Sequence, residues 1–352
     1  MVALTERLPD QKAEAVRAAI LEWYRRGHRD LPWRHTRDAY HVLVSEVMLQ
    51  QTQVDRVLPK YLDWLERYPT LEALATAPRA EVIRAWSGLG YNLRAVRLHE
   101  IARQAVERYG GQLPETLEGL LSLKGIGRYT AAAVMCFARG APEPVLDTNV
   151  RRVLGRIFAA EAPDAIDDDR VAWRVAEQAL PDQGDVYDWN QALMDLGATV
   201  CLSRTPRCLL CPAQTWCTAR QAWFAPEAAA MPGSPGVLAQ APLAQVAEER
   251  APYDVGDADG ASSRPVVRKA KAKTAPERFE GSRRWYRGRV VNALRGLPEG
   301  TAATLDELAE RLGQAGVQVE EALLREIVAA LARDGLAAVT GEGEGQRVAL
   351  PV

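Results

Sequence analysis

Four of the five cysteines, Cys201, Cys208, Cys211 and Cys217, fall in one short segment with the spacing C-x6-C-x2-C-x5-C. Thiolates this close in sequence can converge on one tetrahedral centre, so the segment reads as a metal loop. A disulfide framework is the weaker reading. The first residues, Met1-Val-Ala-Leu-Thr-Glu-Arg, lack the basic-then-apolar pattern of a secretory signal, and cytosolic thiols stay reduced. Structural zinc usually takes two knuckle pairs, whereas this loop has one C-x2-C pair and two outlying cysteines. Four cysteines also suit an iron–sulfur cluster, and the spacing by itself leaves both groups open.

A chain of 352 residues is long enough for two or three domains with substantial cores. Hydrophobic residues make up 47% and no apolar run approaches membrane-spanning length, so a soluble intracellular protein is expected. The net charge of −2 averages unlike parts. Between residues 227 and 260, six acids (Glu227, Glu248, Glu249, Asp254, Asp257 and Asp259) stand against Arg250 alone. Between 264 and 295, eleven arginines and lysines stand against Glu277 and Glu280. Local charge therefore says more about partners than the whole-chain sum does.

Residues 10–225 read as helices and turns, with no alternating Val/Ile/Thr run that would make a sheet. A first helix is expected over 10–26 with Asp10 as its cap, and a second helical stretch over 40–68. Shorter helices are expected at 71–75, 80–87, 94–109, 117–122, 128–138, 148–157, 168–180 and 188–200. This part of the chain is thus expected to be all-α. Residues 223–277 are rich in Ala, Pro and Gly and read as a flexible linker. Beyond it, helices near 282–294 and 319–334 flank Thr304-Leu-Asp-Glu307, a capping-box pattern that opens a further helix. Residues 336–340 and 347–350 read as a hairpin, making 278–352 a small winged-helix-like α+β module. DNA binding by its basic leading edge and a packing or partner role both remain open.

In Leu120-Leu-Ser-Leu-Lys-Gly-Ile-Gly-Arg-Tyr-Thr-Ala-Ala-Ala-Val134, Gly125 and Gly127 permit a tight turn between two helices. Backbone N–H groups at the start of the second helix would cradle an anion, such as a nucleic-acid phosphate, without reading sequence. A G-x-G turn alone is more often a plain connector.

Taken in order, Leu31-Pro-Trp-Arg34, Ser45-Glu-Val-Met-Leu-Gln-Gln-Thr52, Gly88-Leu-Gly-Tyr91, this hairpin, Val145-Leu-Asp-Thr-Asn-Val150 and the cysteine loop resemble the helix-hairpin-helix DNA glycosylases. The Ser45–Thr52 string closely resembles the MutY-type adenine DNA glycosylases, and the resemblance covers about residues 10–222. It implies a six-helix barrel over 31–135 and an iron–sulfur domain from 1–30 and 136–222, with a catalytic cleft between them. It also implies a [4Fe–4S] cluster on Cys201, Cys208, Cys211 and Cys217. The implied protein is a monomer acting on double-stranded DNA with a mispaired adenine, located in the cytoplasm at the nucleoid. The cluster's expected job is structural, presenting Arg204 and Arg207 to phosphate.

Removing a base needs a proton for the leaving group and a counter-charge for the oxocarbenium sugar, which glycosidases supply with two differently tuned carboxyls. Glu46 sits among Val42, Leu43, Val44, Val47, Met48 and Leu49, where desolvation would keep it protonated. The resemblance implies that Glu46 protonates the adenine ring at N7. It implies that Asp147 stabilises the sugar cation with support from Asn149, although an Asp before a helix also reads as an N-cap. Tyr129 stands where bifunctional relatives carry a Schiff-base lysine, so strand cleavage should be weak or absent. Gln51, after Gln50 and before Thr52, matches a residue that wedges into the base stack, and Tyr91 a second one. Arg29, Leu31, Trp33, Arg34 and Gln191 match positions lining the adenine pocket. Trp33 and Tyr91 could equally be core aromatics. Lys124, Gly125 and Gly127 match the phosphate-binding hairpin.

Two departures stand out. Asn92 replaces a second tyrosine common in relatives, and the tail lacks the strand pattern and the Phe-Ser-His string of a Nudix-like domain. Preference for 8-oxoguanine opposite adenine is therefore less secure than adenine removal itself. A thymine/uracil mismatch glycosylase acting opposite guanine is the nearest alternative, and a non-catalytic iron–sulfur DNA damage-binding protein is a further one.

Overall fold

Apolar residues at helical spacing set the first element. Helix α1 (Asp10–Arg26) buries Ala13, Val16, Ile20, Leu21 and Tyr24. Its N-cap is Pro9, and Asp10 is instead the first helical residue, where its charge still faces the positive helix end. The computed structural model describes residues 8–159, 166, 168–181, 184–223 and 279–352.

The expected helical stretch over 40–68 is two helices, α2 (Ala39–Leu49) and α3 (Val54–Arg67). The Asp38 carboxylate starts α2 by accepting from the Tyr40 and His41 N–H groups. The chain breaks after it because Gln51 takes a left-handed backbone (φ 55°), which no helix can continue through. Helices α4 (Leu71–Thr76), α5 (Arg79–Ala85), α6 (Leu93–Tyr109), α7 (Leu117–Leu121) and α8 (Arg128–Arg139) follow. They enclose one apolar core with Leu43, Met48, Trp86, Leu98 and Ile101 at its centre.

Helices α9 (Thr148–Phe158), α10 (Asp169–Ala179) and α11 (Val186–Thr199) pack with α1 around a second core that includes Val16, Ile20, Leu154, Trp189 and Leu196. A short α12 (Thr218–Trp223), not expected from sequence, closes the cysteine segment. The expected linker lies, apart from Trp223, outside the described residues. Among the described residues, no helix is long and apolar enough to cross a membrane.

The tail comprises α13 (Arg283–Arg295), β1 (Ala303–Thr304), α14 (Leu305–Gln314), α15 (Glu321–Arg333), β2 (Ala338–Thr340) and β3 (Arg347–Ala349). The expected hairpin is present, and the two-residue β1 adds a third antiparallel strand to give the order β1-β3-β2. This module does not hang free of the rest. Ile83 of α5 and Val96 of α6 enter its core beside Val290, Val291 and Leu294. At the start of α14, Thr304 Oγ1 accepts from the Glu307 N–H at 3.2 Å while the Glu307 carboxylate accepts from the Thr304 N–H at 2.8 Å. Thr304→Ala removes one half of this box and should cost about 1 kcal/mol in a urea-unfolding series.

Candidate active site

Helix α2 buries nearly every residue from Tyr40 to Met48, and Glu46 is buried with them at 5% exposure. A lone carboxylate there loses its hydration. Burial pushes Glu46 up to about 7, reinforced by the negative field of Asp147 and opposed by the Tyr129 hydrogen bond and the Arg34 charge. The Tyr129 hydroxyl, on the first turn of α8, donates to Glu46 Oε2 at 2.5 Å. Burial and the two nearby carboxylates hold the Tyr129 phenol well above its ordinary value, so it is a neutral donor.

Asp147, at the N-terminus of α9, is near enough to act electrostatically on both Glu46 and Tyr129. Its Oδ1 accepts from the Val150 N–H at 2.6 Å and its Oδ2 from Asn149 Nδ2 at 3.2 Å. Cap and carboxylate are thus the same group, and the cap fixes the carboxylate's direction. Burial raises Asp147, opposed by these hydrogen bonds and by the Arg152 charge. Asn149 is held in turn. Arg152 Nη2 donates to Asn149 Oδ1 at 3.0 Å and to the Gly197 carbonyl at 2.8 Å. A methyl group on Gly197 would come within 2.7 Å of Asn149 Cβ, so α9 and α11 approach this closely only over a glycine. Asn190, buried in α11, accepts from the Val145 N–H and donates to the Glu143 carbonyl, aligning the segment that leads into Asp147.

The residues expected to line a base pocket divide in two. Leu31 and Trp33 belong to the apolar core, with Trp33 edge-on to Tyr61. Arg34 makes a two-pronged contact with Asp195 (3.0 and 2.7 Å), and Arg29 Nε adds a bond to the same carboxylate at 2.7 Å. Burial alone would raise Asp195, but the Arg34 hydrogen bond and the two guanidinium charges bring it below the ordinary value. Asp195 follows Gln191 by one turn of α11, and both are buried.

Gln51 (φ 55°) and Tyr91 (φ 44°) are, among the described residues, the two non-glycine positions with left-handed backbone. Such conformations cost on the order of 1 kcal/mol or more and persist where the surroundings impose them. Arg94 ties the two turns together. Its buried guanidinium donates to the carbonyls of Val47 (2.9 Å), Met48 (3.0 Å) and Gln50, and to Thr52 Oγ1 (3.0 Å), Leu89 O (3.2 Å) and Gly90 O (3.3 Å). It thereby satisfies the last carbonyls of α2 and those of the Gly88–Tyr91 loop together. Desolvation lowers Arg94 to about 10, so it stays charged at neutral pH.

The turn between α7 and α8 holds Gly125 at φ 109°, and Gly127 caps α8 without a side-chain partner for the helix N–H groups. Lys124 is exposed, its backbone pinned by Gln104 through bonds of 2.9 and 3.3 Å. The four clustered cysteines are free of disulfides and line one cavity with Val153, Arg156 and Ile157. Among the described residues, no three His, Cys, Asp or Glu side chains converge as one metal ion would require. Four cysteines lining one cavity are the donor set that an iron–sulfur cluster takes. Arg156 donates to Cys201 Sγ at 3.5 Å, placing a cation beside groups that must become thiolates. Arg204 and Arg207 on the same loop are exposed.

Arg94, Arg152, Asn190 and Asp195 were not expected from sequence. The available signal was a charged or amide residue inside an otherwise apolar helical run, as in Leu93-Arg-Ala-Val96.

A family described as HhH-GPD superfamily base excision DNA repair protein matches residues 44–178. The chain is 46% identical over 208 residues to the adenine DNA glycosylase of Mycobacterium tuberculosis (strain CDC 1551 / Oshkosh), covering 59% of this chain and 68% of that one. It is 49% identical over 209 residues to the adenine DNA glycosylase of Mycolicibacterium smegmatis, covering 58% and 69%. Among solved structures it is similar to a thermostable thymine-DNA glycosylase, at TM-score 0.57 and 33% identity over 60% of this chain and 98% of that one.

Arg94→Lys offers one ammonium where a fork reaches six acceptors. It should lower stability by about 2 kcal/mol or more in denaturant unfolding, because buried carbonyls lose their donors.

Proposed function

Because this chain belongs to the adenine DNA glycosylases of the helix-hairpin-helix (HhH-GPD) base excision DNA repair superfamily, we propose that it hydrolyses the N-glycosidic bond of adenine mispaired with 8-oxoguanine or guanine in double-stranded DNA. The observation that carries this reading is the state of Glu46. A carboxyl buried to a pKa of about 7 keeps its proton in about half of the molecules at neutral pH and can give it up to a leaving base. Adenine bound outside the duplex accepts that proton at N7, and C1′–N9 breaks with its electron pair going to the purine. Asp147, close enough to Glu46 to act on its proton affinity, opposes the positive charge that develops on the sugar, and water then adds to C1′. Tyr129 keeps Glu46 oriented and, lacking an amine, forms no imine with the sugar; strand cleavage is therefore absent or weak. Gln51 and Tyr91 enter the stack beside the base opposite, while Gln50 and Thr52 join the Gln51 turn to α2.

The cysteine loop fits a [4Fe–4S] cluster held by Cys201, Cys208, Cys211 and Cys217. When bound, the group cross-links the loop and does no chemistry at the sugar. Arg152 connects this loop to the catalytic side, since its Nε donates to the Cys201 carbonyl at 2.9 Å and its Nη2 to Asn149.

Base release from duplexes holding 8-oxoG:A, G:A, G:T and G:U is the direct test. Adenine should be freed from the first two, and release of thymine or uracil alone would overturn the reading in favour of a mismatch glycosylase. The 46–49% identity to adenine enzymes against 33% to the thymine-DNA glycosylase structure supports the first outcome.

Glu46→Gln should reduce single-turnover release by about 10²–10⁴-fold with duplex binding retained, the range expected for a lost general acid. In the wild type the rate should fall as pH rises through about 7, because deprotonation removes the acid. The Tyr129 hydrogen bond favours the ionised form, so Tyr129→Phe should move that limb to higher pH. The same shift acts on folding. A raised carboxyl pKa leaves stability intact below about 4.5 and erodes it as pH climbs through 7, by about 3 kcal/mol for a shift of this size. Glu46→Gln should therefore stabilise the protein at pH 8 and change little at pH 4, as read by thermal unfolding at the two pH values.

A further inference from the structure

The first turn of α13 carries Arg283 and Arg284 at the positive end of a helix, where arginines are electrostatically misplaced. Something outside the helix must hold them there. Arg283 pairs with Glu326 of α15 at 2.7 Å. Further along α13, Arg287 pairs with Asp334, and Arg289 lies over the Trp285 ring at 5.1 Å. These three contacts stay inside the C-terminal module.

The other two arginines of α13 leave it. Arg295 donates to the Ile83 carbonyl at 3.0 and 2.7 Å and to Asn92 Oδ1 at 2.8 Å. Arg284 places its guanidinium 4.3 Å from the centre of the Tyr91 ring and donates to the Tyr91 hydroxyl. Arg94 lies 5.3 Å from the same ring, so one aromatic has two cations close to it. Arg56 of α3 donates to the Gly88 carbonyl and holds the other end of the loop. The seam beneath is apolar, with Ile83 and Val96 of the barrel sharing a core with Val290, Val291 and Leu294. It fixes α13 at a set distance from residues 88–92.

We propose that the C-terminal module is a brace on the DNA-reading loop, in which Arg284 is a positioning residue that holds the Tyr91 ring in its left-handed, insertion-ready conformation. The inference rests on the reading of Tyr91 as a wedge. Asn92 is part of the same device. An asparagine at this position gives Arg295 a carbonyl acceptor, so the loop is tied to the module through two adjacent residues. The exposed Arg284 covers Tyr91 from the solvent side, whereas Arg94 holds it from within the protein. Only the outer contact depends on the module.

The test uses the full-length chain and a duplex with 2-aminopurine beside the target adenine, so that base extrusion and adenine release are read separately. Arg284→Ala should slow extrusion about tenfold, leave the pH limb assigned to Glu46 in place, and leave the melting temperature unchanged because Arg284 is exposed. Arg284→Lys should restore part of the rate, since an ammonium keeps the ring contact but not the fork. In a Tyr91→Ala background, Arg284→Ala should have no further effect. An equal loss in both backgrounds, accompanied by a shallower salt dependence, would mean a phosphate contact and would overturn the brace. An Arg284→Ala variant as fast as the wild type would overturn it as well. A wild type that releases no adenine from any duplex would instead sink the proposed function, so the two failures are told apart.

Discussion

A single buried guanidinium governs how the end of α2 and the Gly88–Tyr91 loop are assembled. Arg94 sits at the start of α6 and reaches carbonyls from the end of α2 and from the Gly88–Tyr91 loop. Helix ends leave carbonyls without partners, and burying them unpaired would cost several kcal/mol across the set. By satisfying both groups at once, the fork permits two left-handed residues, Gln51 and Tyr91, to stand in neighbouring turns. Helix α2 also carries Glu46, so the same constraint sets where Glu46 and the Gln51 turn lie relative to each other.

The proposed chemistry rests on unequal treatment of two carboxyls. Glu46 has one hydrogen-bond donor, Tyr129, in an apolar helix interior, and so is driven toward its neutral form. Asp147 receives the Val150 N–H and the Asn149 amide with Arg152 nearby, and these oppose the burial that raises it. One carboxyl driven toward its neutral form and a second held by N–H donors make the unequal pair that cleavage of a bond between a basic leaving group and a sugar requires. The helix N-terminus is what makes the second carboxyl different from the first.

Much of the helical core was legible because apolar spacing is a local property. Helices α1, α6, α8 and α9 fall within a residue or two of their sequence-based bounds, and the Thr304/Glu307 box is formed as its pattern indicates. The break between α2 and α3 was not legible, because Gln50-Gln-Thr-Gln carries no glycine or proline to announce it. It arises from Arg94, some forty residues away. Asp195 was missed for the same reason. A single aspartate in α11 gives no hint that two arginines from the segment before α2 will converge on it. The two-residue β1 and the docking of the tail onto α5 and α6 likewise depend on partners distant in sequence.

The chain alone determined which side chains are present: four cysteines in one loop, a carboxyl inside an apolar helix, a tyrosine where an amine would otherwise stand. Residue type and local spacing suffice for that, since they set what each group can donate, accept or ligate. Only the tertiary structure decided which of these groups feel one another. Desolvation of Glu46, the left-handed turns at Gln51 and Tyr91 and the contact of Arg284 with Tyr91 are all produced by packing between elements far apart along the chain. Proton affinity and backbone strain depend on those surroundings, which no local window contains.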